Sequence, residues 1–271
     1  MPARTRPEHN GLGRRMKIII PARYGSSRLP GKALADVAGK TLLERVHECA
    51  QRSEAGEVII ATDDERIRRT AEGFMARVCM TSQQHASGTE RIAEVVERLR
   101  LPDEEIVLNL QGDEPLMPPK LLDLVAKTLR EDAGAVMATA ACVIDSYESF
   151  IDPNIVKVVR DARGRALYFS RAPVPWPRNR RPADQQPAPD GFGLRHIGLY
   201  AYRAGFIRRY ARWDPSPLEA IEMLEQLRIL WHGDEIAVCE TDSPPPPGVD
   251  TAADLERVRR HFESNLRIEQ S

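Results

Sequence analysis

An α/β fold with a mainly parallel sheet and helices on both of its faces is what the first half of this chain encodes. Short apolar runs recur at 17–21, 57–61, 76–80 and 106–110. Each is followed by a helical pattern rather than a hairpin turn, so successive strands are expected to lie parallel and to be buried on both sides. With 271 residues and 42% hydrophobic content, the chain can enclose one sizeable core.

Lys17-Ile18-Ile19-Ile20-Pro21 reads as the first strand, and Leu42, Leu43, Val46 and Cys49 recur at helical spacing after a stretch punctuated by Gly and Pro. The second strand, 57–61, precedes a polar helix from Glu65. The third, 76–80, precedes a helix over 90–100, and the fourth, 106–110, a helix over 120–130. Residues 135–144, 155–160, 166–169 and 196–202 are strand-like with fewer helices between them, so some of these strands should run antiparallel. Pro, Arg, Asp and Gly crowd 173–193, which reads as an exposed loop. A helix over 218–231, a strand over 236–240 and a last helix from Ala252 to about Phe262 complete the expected order. Residues 1–15 hold almost nothing that packs and are expected to be a disordered extension.

The 39 basic and 40 acidic residues nearly cancel, so overall charge favours neither nucleic acid nor an anionic membrane surface. Any polyanion must be gripped locally. Cys49, Cys79, Cys142 and Cys239 are dispersed without a CxxC pair, which fits buried, reduced thiols better than a disulfide framework or a zinc site. No apolar run approaches the roughly 18 residues of a membrane span, and the N-terminal stretch lacks the apolar segment of a secretion signal. A cytoplasmic protein with no nucleic-acid or membrane partner is expected.

Ligands of open α/β sheets bind at the carboxyl ends of the strands, so the segments just after them are where chemistry is expected. After the first strand, Pro21-Ala22-Arg23-Tyr24-Gly25-Ser26-Ser27-Arg28-Leu29-Pro30-Gly31-Lys32 sets three cations among turn-permitting residues ahead of a helix. Such a loop can wrap a polyphosphate with backbone amides and charge, or it can be a solvated basic turn. It is not a Walker A loop: five residues separate Gly25 from Gly31, and Ala33 stands where Ser or Thr would hold a metal. The fourth strand ends in Gln111-Gly112-Asp113-Glu114-Pro115, where Asp113 is either a Mg²⁺ ligand or the cap of an ordinary turn. Near the C-terminus, Gly248-Val249-Asp250-Thr251 offers a second carboxylate, although Thr251 with Asp254 resembles a capping arrangement and Asp250 can simply favour the helix start. Ser87-Gly88-Thr89-Glu90-Arg91 opens a helix and can hold a base or phosphate, while His85 beside it reads as a surface residue because no nucleophile is spaced to use it.

Taken in order, these segments, with Tyr168-Phe169-Ser170-Arg171, Arg195-His196-Ile197-Gly198-Leu199-Tyr200, Ser216-Pro217-Leu218-Glu219 and Glu225-Gln226-Leu227-Arg228, resemble the 3-deoxy-manno-octulosonate cytidylyltransferase (CMP-Kdo synthetase) family across residues 16–260. The resemblance implies a Rossmann-like fold of the nucleotide-diphospho-sugar transferase type, one domain over 16–263 with a dimerisation and sugar-binding subregion at about 150–232, and a tail over 264–271. It implies a cytoplasmic homodimer that uses Mg²⁺ to transfer CMP from CTP to 3-deoxy-D-manno-octulosonate (Kdo), an activated sugar for lipopolysaccharide synthesis. It also assigns roles. Arg23 and Lys32 would contact the triphosphate; Ser87, Gly88 and Arg91 the nucleotide; and Gln111 nucleotide and sugar. Asp113 and Asp250 would hold the metal, and Arg171, His196, Tyr200, Glu222, Glu225 and Gln226 would line the sugar pocket. The Pro-rich run before Gly248 and the loop 177–193 depart from the family pattern. A cytidylyltransferase for another keto-deoxy acid such as sialic acid is the alternative, and a catalytically silent nucleotide-binding regulator is the reading from another class.

Overall fold

The computed structural model describes residues 16–25, 29–85, 87–178 and 191–269. The expected extension over 1–15, Arg28 of the basic loop and positions 179–190 of the expected exposed loop lie outside them.

The chain opens with β1 (Met16–Ala22), a 3-10 turn (Lys32–Leu34) and a small hairpin, β2 (Asp36–Val37) and β3 (Lys40–Thr41). It continues α1 (Leu42–Gln51), β4 (Glu57–Thr62), α2 (Glu65–Gly73), β5 (Arg77–Met80), α3 (Gly88–Arg98), β6 (Ile106–Asn109), α4 (Pro119–Glu131) and β7 (Ala135–Val143). Then come α5 (Tyr147–Ile151), β8 (Lys157–Arg160), β9 (Ala166–Ser170), β10 (Leu194–Arg203), α6 (Ala204–Tyr210), α7 (Pro217–Glu222), α8 (Leu227–Trp231), β11 (Glu235–Glu240) and α9 (Ala252–Glu269).

The main sheet runs β11-β7-β10-β6-β1-β4-β5. Its β6-β1-β4-β5 half is parallel, while β10 is inserted antiparallel between β6 and β7. The pair β8 and β9 branches off β10. Successive strand side chains point to opposite faces, and β1 shows the consequence: Ile18 and Ile20 join the core under α1, α2 and α4, whereas Ile19 joins the one under α3, α6 and α8. All three are fully buried. Register pairs Ala22 with Thr62 and Thr62 with Met80, so the parallel strands end together along one edge.

Several expectations change. The single helix over 218–231 is two, because Met223 adopts φ 53°, ψ 48°, a left-handed conformation that ends α7. The hairpin β2–β3 and the short helices α5 and α6 were not foreseen, and α9 runs past Phe262 to Glu269. Cys49 and Cys142 are buried, but Cys79 and Cys239 are only half-buried. Burial pushes all four thiols up, that of Cys49 to about 11, so none is poised as a thiolate.

Candidate active site

The basic loop after β1 is closed by its own backbone. Gly31 (φ 72°) donates its N–H to Tyr24 O at 3.0 Å, and a Cβ on Gly31 would stand 3.2 Å from the Tyr24 ring. The positive φ favours glycine there, and the nearby ring adds to the crowding that any side chain would meet. The turn aims Lys32 at the end of β6, where its Nζ donates to Asp113 Oδ2 at 2.6 Å, Val249 O at 3.0 Å and Asp250 Oδ1 at 3.2 Å. One ammonium thus gathers two carboxylates that are far apart in the sequence.

Asp250 arrives by backbone pairing. Val249 N–H donates to Asp113 O at 2.9 Å, and the fully buried Val249 side chain packs with Val37, Leu42, Leu255 and Val258. Gly248 lies so close to Glu114 that a Cβ would stand 2.8 Å from Oε1. Capping of α9 falls to Thr251 and Asp254: Asp254 Oδ2 accepts from Thr251 N–H at 2.9 Å and from Thr251 Oγ1 at 2.8 Å. The capping signal was real, but it belongs to those neighbours. Burial, and then the charges of Asp113 and Asp250, push the Glu114 carboxyl up to about 8.

The start of α3 forms the facing wall. Ser87 Oγ accepts from Glu90 N–H at 3.2 Å as the helix cap, and a Cβ on Gly88 would stand 3.3 Å from Pro21 and 3.6 Å from the Gln111 amide. Arg91 is 4% exposed, with Nη2 donating to Asp63 Oδ2 at 3.0 Å and Nη1 to Thr81 Oγ1. His85 is not a surface residue: its side chain is 19% exposed, and its Nε2 lies 2.5 Å from Glu94 Oε2. A cavity of about 400 Å³ opens between these walls, lined by Arg23, Lys32, Ser87, Gly88, Arg91, Gln111, Asp113, Glu225 and Asp250 among others.

Those nine residues are all among the expected ones. The remaining five do not line it. Arg171 Nε donates to Glu222 O at 2.7 Å and Nη1 to Pro153 O at 3.0 Å, while Glu222 Oε1 accepts from Ser170 Oγ at 2.7 Å, so this pair ties β9 to α7. His196 is buried, one ring nitrogen 2.9 Å from Thr139 Oγ1, and burial pushes it down to about 3, so the ring is neutral. Tyr200 OH donates to Gln226 Oε1 at 3.5 Å, and Gln226 Nε2 is a buried donor with no partner among the described residues. Glu225, the neighbour in sequence that does reach the cavity, accepts from Thr89 Oγ1 at 3.0 Å, and desolvation raises its carboxyl.

Sequence reasoning missed Asp63, which directly follows β4 at the same carboxyl edge. The rule that pointed to Asp113 would have found it.

A family model described as cytidylyltransferase matches residues 17–236. The 3-deoxy-manno-octulosonate cytidylyltransferase of Idiomarina loihiensis is 54% identical over 244 residues, 90% of this chain and 96% of the relative. That of Halorhodospira halophila is 54% identical over 248 residues, 91% of this chain and 96% of the relative. The solved structure of CMP:2-keto-3-deoxy-manno-octonic acid synthetase complexed with CTP superposes with a TM-score of 0.84 at 40% identity, over 93% of this chain and 99% of that one. A 4-diphosphocytidyl-2C-methyl-D-erythritol synthase, 15% identical with a TM-score of 0.60 over 92% of this chain and 100% of that one, shares the fold alone.

Proposed function

The chain belongs to the cytidylyltransferase family, in its 3-deoxy-manno-octulosonate branch, and from that premise we propose that it transfers CMP from CTP to Kdo with release of pyrophosphate. The observation that carries the reading is the convergence of Asp113 and Asp250 on Lys32 beside the 400 Å³ cavity. Sialic acid as acceptor is not favoured, since relatives 54% identical over nine-tenths of the chain are Kdo enzymes.

The reaction is an in-line displacement: the anomeric hydroxyl oxygen of Kdo bonds to the α-phosphorus as the bond to the β-phosphate oxygen breaks, and the hydroxyl proton is released. Arg23 and Lys32 hold the triphosphate and oppose charge that builds on its oxygens. The α3 wall and Gln111 orient the nucleotide and acceptor, turning an encounter into a positioned attack. No side-chain nucleophile is needed.

Asp113 and Asp250 fit a Mg²⁺ ion, because both carboxylates already reach a single cationic group, the Lys32 ammonium. Among the described residues no group of three or more His, Cys, Asp or Glu converges. Two carboxylates, with water and substrate phosphate completing the shell, suit an ion that prefers hard oxygen and keeps its waters. When bound, Mg²⁺ supplies Lewis-acid charge at the α-phosphate. The proposal extends to a cytoplasmic homodimer whose product feeds lipopolysaccharide synthesis. Among the described residues, no helix is long and apolar enough to cross a membrane.

Asp113→Asn tests the reading. With CTP, Kdo and Mg²⁺, the folded variant should lose at least about 100-fold in turnover, as loss of an electrostatic catalytic group does, and chelation should silence the wild type. CMP-Kdo detected by mass spectrometry at the wild-type rate in the variant would remove Asp113 from the site.

A further inference from the structure

We propose that Asp63 is a positioning residue for the nucleoside triphosphate, acting through Arg91. The inference rests on the reading of the cavity as a CTP site, and it adds to that reading the group that holds one of its walls in place.

Arg91 lines the cavity and yet is 4% exposed, so its charge sits where water cannot stabilise it. A buried cation of this kind holds its place when a carboxylate shares the burial and hydrogen bonds fix the geometry. Asp63 supplies the carboxylate, with Oδ2 accepting from Arg91 Nη2 at 3.0 Å. Thr81 Oγ1 and Ser82 O, the latter at 3.4 Å, accept from Nη1 and fix the plane of the guanidinium. A guanidinium carries more donors than these contacts use, and an oriented fork suits a phosphate or a nucleoside edge.

The backbone around Asp63 is itself immobilised. Thr62 is fully buried, its carbonyl accepts from Thr81 N–H at 2.8 Å, and its Oγ1 accepts from Asp64 N–H at 3.2 Å. Asp64 in turn caps α2 by accepting from Arg66 N–H at 2.9 Å. Asp63 is therefore held between two anchored neighbours, and the ends of β4, β5 and the first turn of α3 are joined through one ion pair. Sign matters as well. Asp63 lies behind Arg91 and does not itself line the cavity, so an unpaired carboxylate there would repel a polyanionic substrate through the wall, whereas the pair presents only the oriented guanidinium.

Two consequences separate this role from a merely structural one. Removing Asp63 should weaken CTP binding and leave the acceptor's KM and kcat nearly alone. Removing Arg91 should be worse still, because Asp63 is then left uncompensated toward the triphosphate, and deleting both should relieve part of that loss.

The experiment measures CTP binding by calorimetry without acceptor, and steady-state kinetics with CTP and Kdo, for wild type, Asp63→Ala, Asp63→Asn, Arg91→Ala and the Asp63→Ala/Arg91→Ala double variant. Expected are an affinity loss of about tenfold in Asp63→Ala, the scale of one lost charge-assisted hydrogen bond, a smaller loss in the near-isosteric Asp63→Asn, and a double variant no weaker than Arg91→Ala. Should Asp63→Ala fail to fold, Asp63→Asn carries the same comparison. Wild-type CTP affinity in the Asp63 variants overturns the inference, as does an Asp63→Ala loss of equal size with and without Arg91. A wild type that binds CTP but does not turn over Kdo fails on the acceptor alone, and the Asp63 comparison still decides this inference. A wild type that binds no CTP overturns both.

Discussion

His196 shows how burial alone can set a residue's chemistry. Its imidazole is pushed down from 6.5 to about 3 by desolvation, with Thr139 Oγ1 as a hydrogen-bond partner. As pH falls, the unfolded chain takes up a proton near 6.5 that the native state refuses until about 3. Proton uptake by the unfolded state lowers stability, so His196 contributes stability that is present above 6.5 and is lost as pH falls toward 3. His196→Gln should therefore lose less Tm than the wild type between about pH 7 and about pH 5. His47, also lowered by burial, is present in both proteins and cancels; equal slopes would show that the ring is protonated in the folded protein. Nothing in the sequence announced this burial, nor that of Lys157, which is fully buried with Nζ donating to the carbonyls of Asp152, Ile155 and Arg171 at 2.9, 2.6 and 2.7 Å. A single polar residue in a strand pattern carries no mark of which atoms will enclose it.

At the scale of elements, periodicity was informative where strands and helices alternate, because β1, β4 and β6 bury most of both faces, while β5 at the sheet edge stays half-exposed. It failed at α7 and α8. The apolar pattern runs on through Met223, and only the left-handed backbone there, with Leu224 buried and Met223 exposed, divides the helix. The link that brings Asp250 to Asp113 was legible as two motifs but not as a contact, since their meeting depends on Val249 N–H and its hydrophobic packing. Gly248→Ala tests that link. The added methyl would stand 2.8 Å from Glu114 Oε1 and 3.2 Å from the backbone Asp113 O, so the Glu114 carboxyl or the segment itself must give way. Overpacking of this kind costs about 1–3 kcal/mol. Turnover should fall together with Tm as Asp250 is displaced from Lys32, and wild-type values of both would show that the segment has room.

For the whole molecule, the cavity-lining half was readable because the sheet gathers strand ends on one edge, and Arg23, Lys32, Asp113 and Gln111 all follow such ends. Arg171 and Glu222 were carried by resemblance alone, and their side chains instead join β9 to α7. That junction has a second consequence. Ile151, Leu167, Trp176, Ile221, Met223 and Trp231 are large apolar side chains left exposed, and all lie within the 150–232 region expected to dimerise; among the described residues, only Met75 and Val143 are others of this kind. Leu167 on β9, Ile221 in α7 and Met223 at its end belong to segments that the Glu222 contacts join. Exposed apolar side chains are favourable to cover, and a second copy of the chain offers the same surface for a two-fold contact. Ile221→Asp with Met223→Asp places two charges there without touching a cavity-lining residue. Sedimentation at micromolar concentration should show the wild type as a dimer and the double variant as a monomer that keeps its Tm profile cooperative. A monomeric wild type would overturn the homodimer, while a variant that stays dimeric would move the contact to another face of the molecule.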